Sequence, residues 1–286
     1  MKSRGRQSGS KHAVRVKTKY PPNGEPPAIL GLMAPLSGMA SLYGQEIVRA
    51  TRLAVRQVNE QGGVLGRPLR LVIDDDGSHP ESAVHAANRL LDRHGCQAMI
   101  GNLLSNTRMA VAYRVAEPRQ VPLLNFSFYE GSIFSRYFFH FAALPNQQID
   151  RMITFMRGQF GGRMFFAGNH YEWPRGSIDA ARRALVAVEG EMVGEEYLPL
   201  GITAEQIDRL LAQVQESGAE VFVPYFAGSD QIKLLERFHA LGLKNRMAVV
   251  MGHFDEMMAS HLAPEVREGL YACNTYFMSV DTEENR

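Results

Sequence analysis

Cysteine is scarce: only Cys96 and Cys273 occur in the 286 residues. Two thiols exclude a disulfide framework and a four-cysteine zinc site. No apolar run approaches the roughly 18 residues that a membrane helix requires, so no membrane insertion is expected. Neither sign of charge dominates, since 31 Lys and Arg face 30 Asp and Glu for a net +1. The chain thus lacks the basic excess of a general polyanion binder, and nucleic acid is not an expected partner. Catalytic signatures are missing too. There is no GxxxxGK[ST] phosphate cradle, no GxGxxG after the first apolar run, no HExxH and no GxSxG elbow. The histidines are scattered. His79, His85 and His94 come nearest to a cluster, but His85 shares its helix with Asn88 and Asp92, which reads as a solvated face. No catalytic residue, metal site or cofactor is expected.

What is present is ordinary globular composition, 45% apolar and 21% charged. The length suggests about two domains. Residues 1–27 are basic and polar and end in a Pro-rich joint, which predicts a flexible tail. No apolar core of a secretory leader precedes Ala28. From Ile29 onward, short apolar runs alternate with segments of helical period. The runs fall at 29–33, 69–73, 98–100, 122–126, 138–143, 164–167, 193–198, 221–225, 247–251 and 270–274. Between them, Ile47, Ala50, Leu53, Ala54 and Val58 share one helix face, and Gly62-Gly63 stops that helix. Val84, Ala87 and Leu91 form a second face. Thr203 and Gln206 make a capping box ahead of Ile207, Leu210, Leu211 and Val214. Such alternation predicts βαβ units and parallel sheets. Pro145 and the polar residues after it read as a crossing segment between two of them.

In open α/β sheets ligands bind beyond the carboxyl ends of the strands. Asp74-Asp75-Asp76 ends the second run and reads as a solvated strand exit, with a divalent-cation site as the alternative. Ser105 follows the third run and is a candidate helix N-cap. Asn125 and Ser127 follow the fourth, among aromatic side chains that suit a small polar ligand with some apolar surface. Cys96 is expected to pack as a small buried residue.

The segment LMAPLSGMASLYGQEIVRATRLAVRQVNEQGGVLGRPLRLVIDDDGSHP, residues 32–80, resembles the type I periplasmic binding proteins of the Leu/Ile/Val-binding family. SNTRMAVAYRVAE, FSFYEGS, AALPNQQ and GNHYEWPRGS are similar to one branch of it, the urea-binding proteins and the amide sensors of amidase operons. The resemblance implies an α/β fold of two Rossmann-like lobes, residues 28–144 and 145–286, that close on a small polar ligand. Relatives continue past the equivalent of SVDTEENR, so a C-terminally incomplete fold is expected, with the segments returning to lobe 1 missing. The implied ligand is an amide, a urea derivative or an amino acid. The implied partner is an ABC permease or, for a sensor, a regulatory protein, and a homo-oligomer is conceivable. The family is periplasmic; a sequence complete as written would be cytoplasmic.

By the same resemblance, Ser105 holds the ligand's polar head, Ser127 supplies the next hydroxyl, and Tyr171 covers the ligand. Trp173, Tyr225 and Phe226 add contacts from lobe 2. Leu103 and Asn125 stand where the amide and urea branch usually carries aromatic residues. His253 to Asp255 match the loop that gives amino-acid binders a carboxylate for the ammonium group. Either Asp255 or His253 is expected to decide whether a cationic ligand is accepted.

Overall fold

The structure, a computed structural model, describes residues 26–283 and 285. The predicted tail lies outside these residues except for Pro26 and Pro27, where the Pro26 carbonyl accepts a 2.9 Å bond from Arg67 Nε. Each predicted apolar run contains a strand. In chain order these are β1 (Ala28–Ala34), β2 (Leu69–Asp75), β3 (Ala98–Ile100), β4 (Leu123–Asn125), β5 (Phe138–His140), β6 (Arg163–Asn169), β7 (Glu191–Leu198), β8 (Val221–Tyr225), β9 (Ala248–Met251) and β10 (Tyr271–Ala272). Helices α1 (Gly44–Glu60), α2 (Pro80–Asp92), α3 (Ser105–Val111), α4 (Glu117–Arg119) and α5 (Pro145–Phe160) connect the first six strands. Helices α6 (Glu172–Ala187), α7 (Ala204–Glu216), α8 (Ser229–Ala240), α9 (Glu256–Ser260) and α10 (Pro264–Arg267) connect the rest.

The strands form two five-stranded parallel sheets, β2-β1-β3-β4-β5 and β10-β9-β8-β6-β7. In each, the first strand lies inside the sheet and the order reverses beside it, between β1 and β3 and between β6 and β8. Alternation along the strands sorts the core. Met33, Met99 and Leu123 pack with Ala87 and Leu90 of α2 and Val111 of α3 on one face of the first sheet. Leu32 and Ala34 meet Val48 of α1 on the other. In the second sheet, Phe165 and Phe222 face α7 and α8, while Phe166, Val221 and Val223 face α5 and α6. Cys96 fills the space above Gly31, its Sγ 3.2 Å from where a Cβ would sit, as expected for a packing residue.

Local signals in the sequence act as predicted at several ends. Thr203 N–H donates to Gln206 Oε1 at 2.9 Å and Gln206 N–H donates to Thr203 Oγ1 at 3.3 Å, completing the capping box of α7. Gly242, with φ +68°, ends α8. Three expectations fail. The crossing between sheets is residues 141–144; Pro145 is already the first residue of α5, where its fixed φ suits helix initiation. The face of α1 is also displaced. Val48 and Thr51 are buried whereas Leu53 is 45% exposed and Ala50 and Ala54 are exposed; at the start of the helix Gly44 lies so close to the Pro35 carbonyl that a Cβ there would be 2.4 Å from its oxygen. Periodicity fixed the helix but not its rotation.

The third failure is the Asp74–Asp76 run, which is not a solvated exit. Asp74 accepts two bonds from Arg89, at 2.7 and 2.9 Å. Asp75 accepts from Leu36 N, Ser37 N, Ser37 Oγ and Gly77 N. Asp76 is buried and accepts from Ser78 N and Asn102 Nδ2. Burial pushes Asp76 above the usual carboxylate range. At Asp75 burial acts in the same direction, but its four hydrogen bonds outweigh it and the net shift is downward. These carboxylates tie the loop after β1 to the loop after β2. No group of acidic, histidine or cysteine side chains suited to a metal ion occurs among the described residues.

Val48→Ala should cost about 2 kcal/mol, because it removes buried methyl groups between α1 and β1. Leu53→Ala should stay within about 0.5 kcal/mol. Urea denaturation of both variants tests the rotation of α1; the reverse ranking would contradict it.

Candidate functional site

Both sheets present the carboxyl ends of their strands to one seam. The loops that leave those ends enclose a small cavity of about 20 Å³. Lobe 1 contributes Tyr43 beyond β1, Leu103 and Leu104 beyond β3, and Ser127 and Phe128 beyond β4. Lobe 2 contributes Tyr171 and Trp173 beyond β6, Ala227 beyond β8 and His253 beyond β9. The strands bordering both reversals of strand order supply part of this lining, as open α/β sheets require. The volume matches about one water molecule.

The cavity is aromatic. The His253 ring lies 5.2 Å from Tyr43, 5.6 Å from Phe128 and 5.8 Å from Trp173 between centroids, edge-on to the last two. Tyr43 and Phe128 come from one lobe, Trp173 and His253 from the other, so this cluster bridges the seam. Two polar atoms inside it lack a hydrogen-bond partner, His253 Nδ1 and Tyr43 Oη; the latter lies near the Gly228 amide without bonding geometry. Burial lowers the His253 pKa from its ordinary 6.5, and nearby Asp255 opposes that shift only in part. The imidazole is therefore neutral near pH 7.

Five of the ten predicted site residues line the cavity: Leu103, Ser127, Tyr171, Trp173 and His253. The other five stand behind it. Ser105 is not the N-cap of α3 but its first residue, after Leu104. It is 1% exposed; its Oγ donates to Glu130 Oε2 at 2.9 Å and accepts from Arg108 Nη2 at 2.8 Å. Asn125 is buried and supports Ser127: its Oδ1 accepts from Ser127 N at 3.2 Å and its Nδ2 donates to Ser127 O at 3.0 Å. Tyr225 packs edge-on against Trp173 at 5.5 Å. Phe226 lies in the lobe-2 core. Asp255 caps α9, its Oδ1 accepting from Met258 N at 2.9 Å, and does not line the cavity.

Sequence reasoning missed Tyr43 and Phe128, and it missed the two buried charges that fix the loops. Arg108 is fully buried. Its Nη2 donates to Glu130 Oε2 at 3.1 Å, and its Nη1 donates to the Leu103 carbonyl at 3.3 Å. Ser132 Oγ donates to the second carboxylate oxygen of Glu130 at 3.1 Å. In lobe 2 the buried Asp230 accepts from Asn169 Nδ2 at 2.9 Å and from the Gly201 and Ile202 amides. Asn169 Oδ1 then accepts from Ala227 N at 2.8 Å, which fixes the cavity wall. Arg108 sits one helical turn after Ser105, and that i,i+3 spacing was the available signal.

Comparison with known proteins fits this geometry. The Leu/Ile/Val-binding protein BraC3 of Rhizobium johnstonii is 33% identical over 88 residues, 31% of this chain and 24% of that protein. The aligned stretch is thus about a quarter of that relative's length. An amino acid ABC transporter substrate-binding protein from Pseudomonas fluorescens superposes with a TM-score of 0.76 at 22% identity, over 92% of this chain and 70% of its own. A solute-binding protein of an ABC transporter from R. palustris, solved with 4-hydroxybenzoate, gives 0.80 at 19% identity, over 91% and 71%. At these identities the structures show a shared fold. The periplasmic binding protein family model matches residues 28–286. With two parallel α/β lobes meeting at an aromatic cleft, the chain belongs to the periplasmic binding protein family.

Proposed function

We propose that this chain binds a small ligand between residues 28–144 and 145–286 as the substrate-binding component of an ABC importer, acting in the periplasm without catalysis. The observation that carries the reading is the seam cavity, lined from both lobes, where His253 Nδ1 has no partner and Tyr43 Oη has only a poorly aligned one in the Gly228 amide. Such atoms are costly when buried and unbonded, so a ligand that satisfies them gains affinity. The names of the related proteins favour transport over cytoplasmic sensing, and a permease over a regulatory partner.

Within that class, the lining favours an uncharged ligand, a small amide or urea derivative, over an amino acid or an aromatic acid. Asp255 is bonded to the α9 amides, and Arg108 and Glu130 to each other. Glu172, whose buried Oε2 has no partner, lies outside the lining, none of whose residues carries a charge near pH 7, and a charge buried without a partner is expensive. The neutral His253 and Tyr43 can each exchange a hydrogen bond with an amide. Amino-acid binding remains the second reading, favoured by the likeness to a Leu/Ile/Val-binding protein.

A thermal-shift and calorimetric comparison of acetamide, urea, L-leucine and 4-hydroxybenzoate tests both readings. The neutral ligands should stabilise the chain, by about 2.7 kcal/mol at 100-fold their dissociation constant. A response to L-leucine alone would replace the uncharged-ligand reading with the second one. Asp255→Ala should lose the α9 cap, about 1 kcal/mol, while leaving the ligand ranking unchanged. A reversed ranking would put Asp255 in the site.

The pH dependence follows from His253. A depressed pKa means that the buried imidazole binds fewer protons than an exposed one, and two of the rings that bury it, Tyr43 and Phe128, leave it when the lobes part. Closure is therefore fully supported above the ordinary value of 6.5 and is lost as pH falls from there through the depressed pKa. Acetamide affinity should weaken below that pH, whereas a carboxylate ligand should gain. His140 in lobe 1 is depressed by burial as well, so His253→Phe is the needed control. Persistence of the acid loss in His253→Phe would remove His253 as its cause.

A further inference from the structure

Gly176 is the fifth residue of α6. Only proline is a poorer helix former than glycine in such an interior position. The other lobe gives the position its reason. A Cβ placed on Gly176 would lie 2.6 Å from Cβ and 3.4 Å from Cγ of Glu130, which belongs to the lobe-1 loop beyond β4. That stem has little freedom to move aside, because Arg108, Ser105 and Ser132 hold its carboxylate. A second contact of the same kind lies elsewhere on the seam. A Cβ on Gly228 of lobe 2 would lie 2.4 Å from the Met39 carbonyl oxygen of lobe 1. Gly228 has φ +54°, so glycine is required there by backbone conformation as well. Gly176 has no such requirement, and only the facing lobe demands the missing side chain.

We propose that Gly176 sets how far the cleft closes: the bare helix surface lets Glu130 seat on α6, and the smallest added side chain holds the lobes apart. Its consequence for affinity rests on the ligand-binding reading above, but the closure itself can be read without a ligand. Trp173 is the only tryptophan in the chain, lies one helical turn before Gly176 and lines the cavity. Its emission and its quenching by acrylamide therefore report the seam directly.

The experiment compares the full chain with Gly176→Ala and Gly158→Ala. Gly158 lies in α5, where a Cβ would meet nothing within 4 Å. Gly158→Ala improves a helix without a clash and should not lower the melting temperature, whereas in Gly176→Ala the helix gain offsets part of the lost seam contact, so the fall should be no more than about 5 °C. Gly176→Ala should red-shift Trp173 and raise its quenching constant, while Gly158→Ala leaves both unchanged. Overpacking at a tight contact should move the open–closed balance roughly fivefold or more, and acetamide should bind Gly176→Ala weaker by the same factor. Quenching equal to that of the unsubstituted chain would overturn the proposal. So would increased quenching with loss of helical circular dichroism, which is local unfolding of α6 rather than opening. A chain that fails to bind acetamide while Gly176→Ala still shows increased quenching would count against the acetamide reading alone.

Discussion

Arg108 carries a full charge into a site with no solvent exposure, and the lobe-1 side of the cleft is arranged around pairing its two terminal nitrogens, while its Nε has no partner. An unpaired buried guanidinium would cost several kcal/mol, and pairing repays that only with good geometry. Here the partners come from two loops. The Leu103 carbonyl belongs to the loop beyond β3 and Ser105 to the start of α3 that follows it, and Glu130 belongs to the loop beyond β4. Meeting the needs of one side chain therefore fixes the two loops that carry Leu103, Leu104, Ser127 and Phe128 into the cavity. Removing either partner of the pair would free both loops at once. Ser105, expected from the family resemblance to touch the ligand, bonds Glu130 and Arg108 behind the cavity lining.

Lobe 2 solves the same problem with the opposite sign. Asp230, fully buried at the start of α8, accepts bonds from Asn169 and from two amides of the loop beyond β7. Through Asn169 it fixes Ala227. Parallel sheets leave their loops at one end, and those loops have no neighbouring strand to bond with. A buried ionised group with several hydrogen-bond partners gives such loops a defined conformation. Using the charges internally has a chemical consequence. The surface left for a ligand is made of rings, a hydroxyl and a neutral imidazole.

The fold was legible because its signals are local. Each apolar run became a strand, and the capping box at Thr203 and the stop at Gly242 worked through neighbouring residues alone. The rotation of α1 was not legible, because it is set by tertiary packing of Val48 against Leu32 and Ala34 of β1. The Asp74–Asp76 run misled for a related reason: Arg89, Asn102 and Ser37, which neutralise or bond it, are far away in sequence. In the site, position at a strand end pointed to Ser127, and the family resemblance to Leu103, Tyr171, Trp173 and His253. Neither separated lining from support. Ser105, Asn125 and Tyr225 occupy equally suggestive positions yet point into the protein, and Tyr43 stands after a loop whose path the sequence does not specify.

His253 and Asp255 show how finely that division is drawn. They are two residues apart, and either was a credible partner for a cationic ligand. The backbone decides between them. Asp255 is extended, with φ −130° and ψ −174°, and begins α9, so its carboxylate turns back onto the Met258 amide as helix caps do. His253 precedes that turn and lies against Tyr43, Phe128 and Trp173 across the seam. Capping withdraws the negative charge from the cleft while leaving it close enough to oppose, in part, the loss of basicity that burial imposes on the imidazole. The electrostatic character of the cleft therefore follows from where one short helix starts.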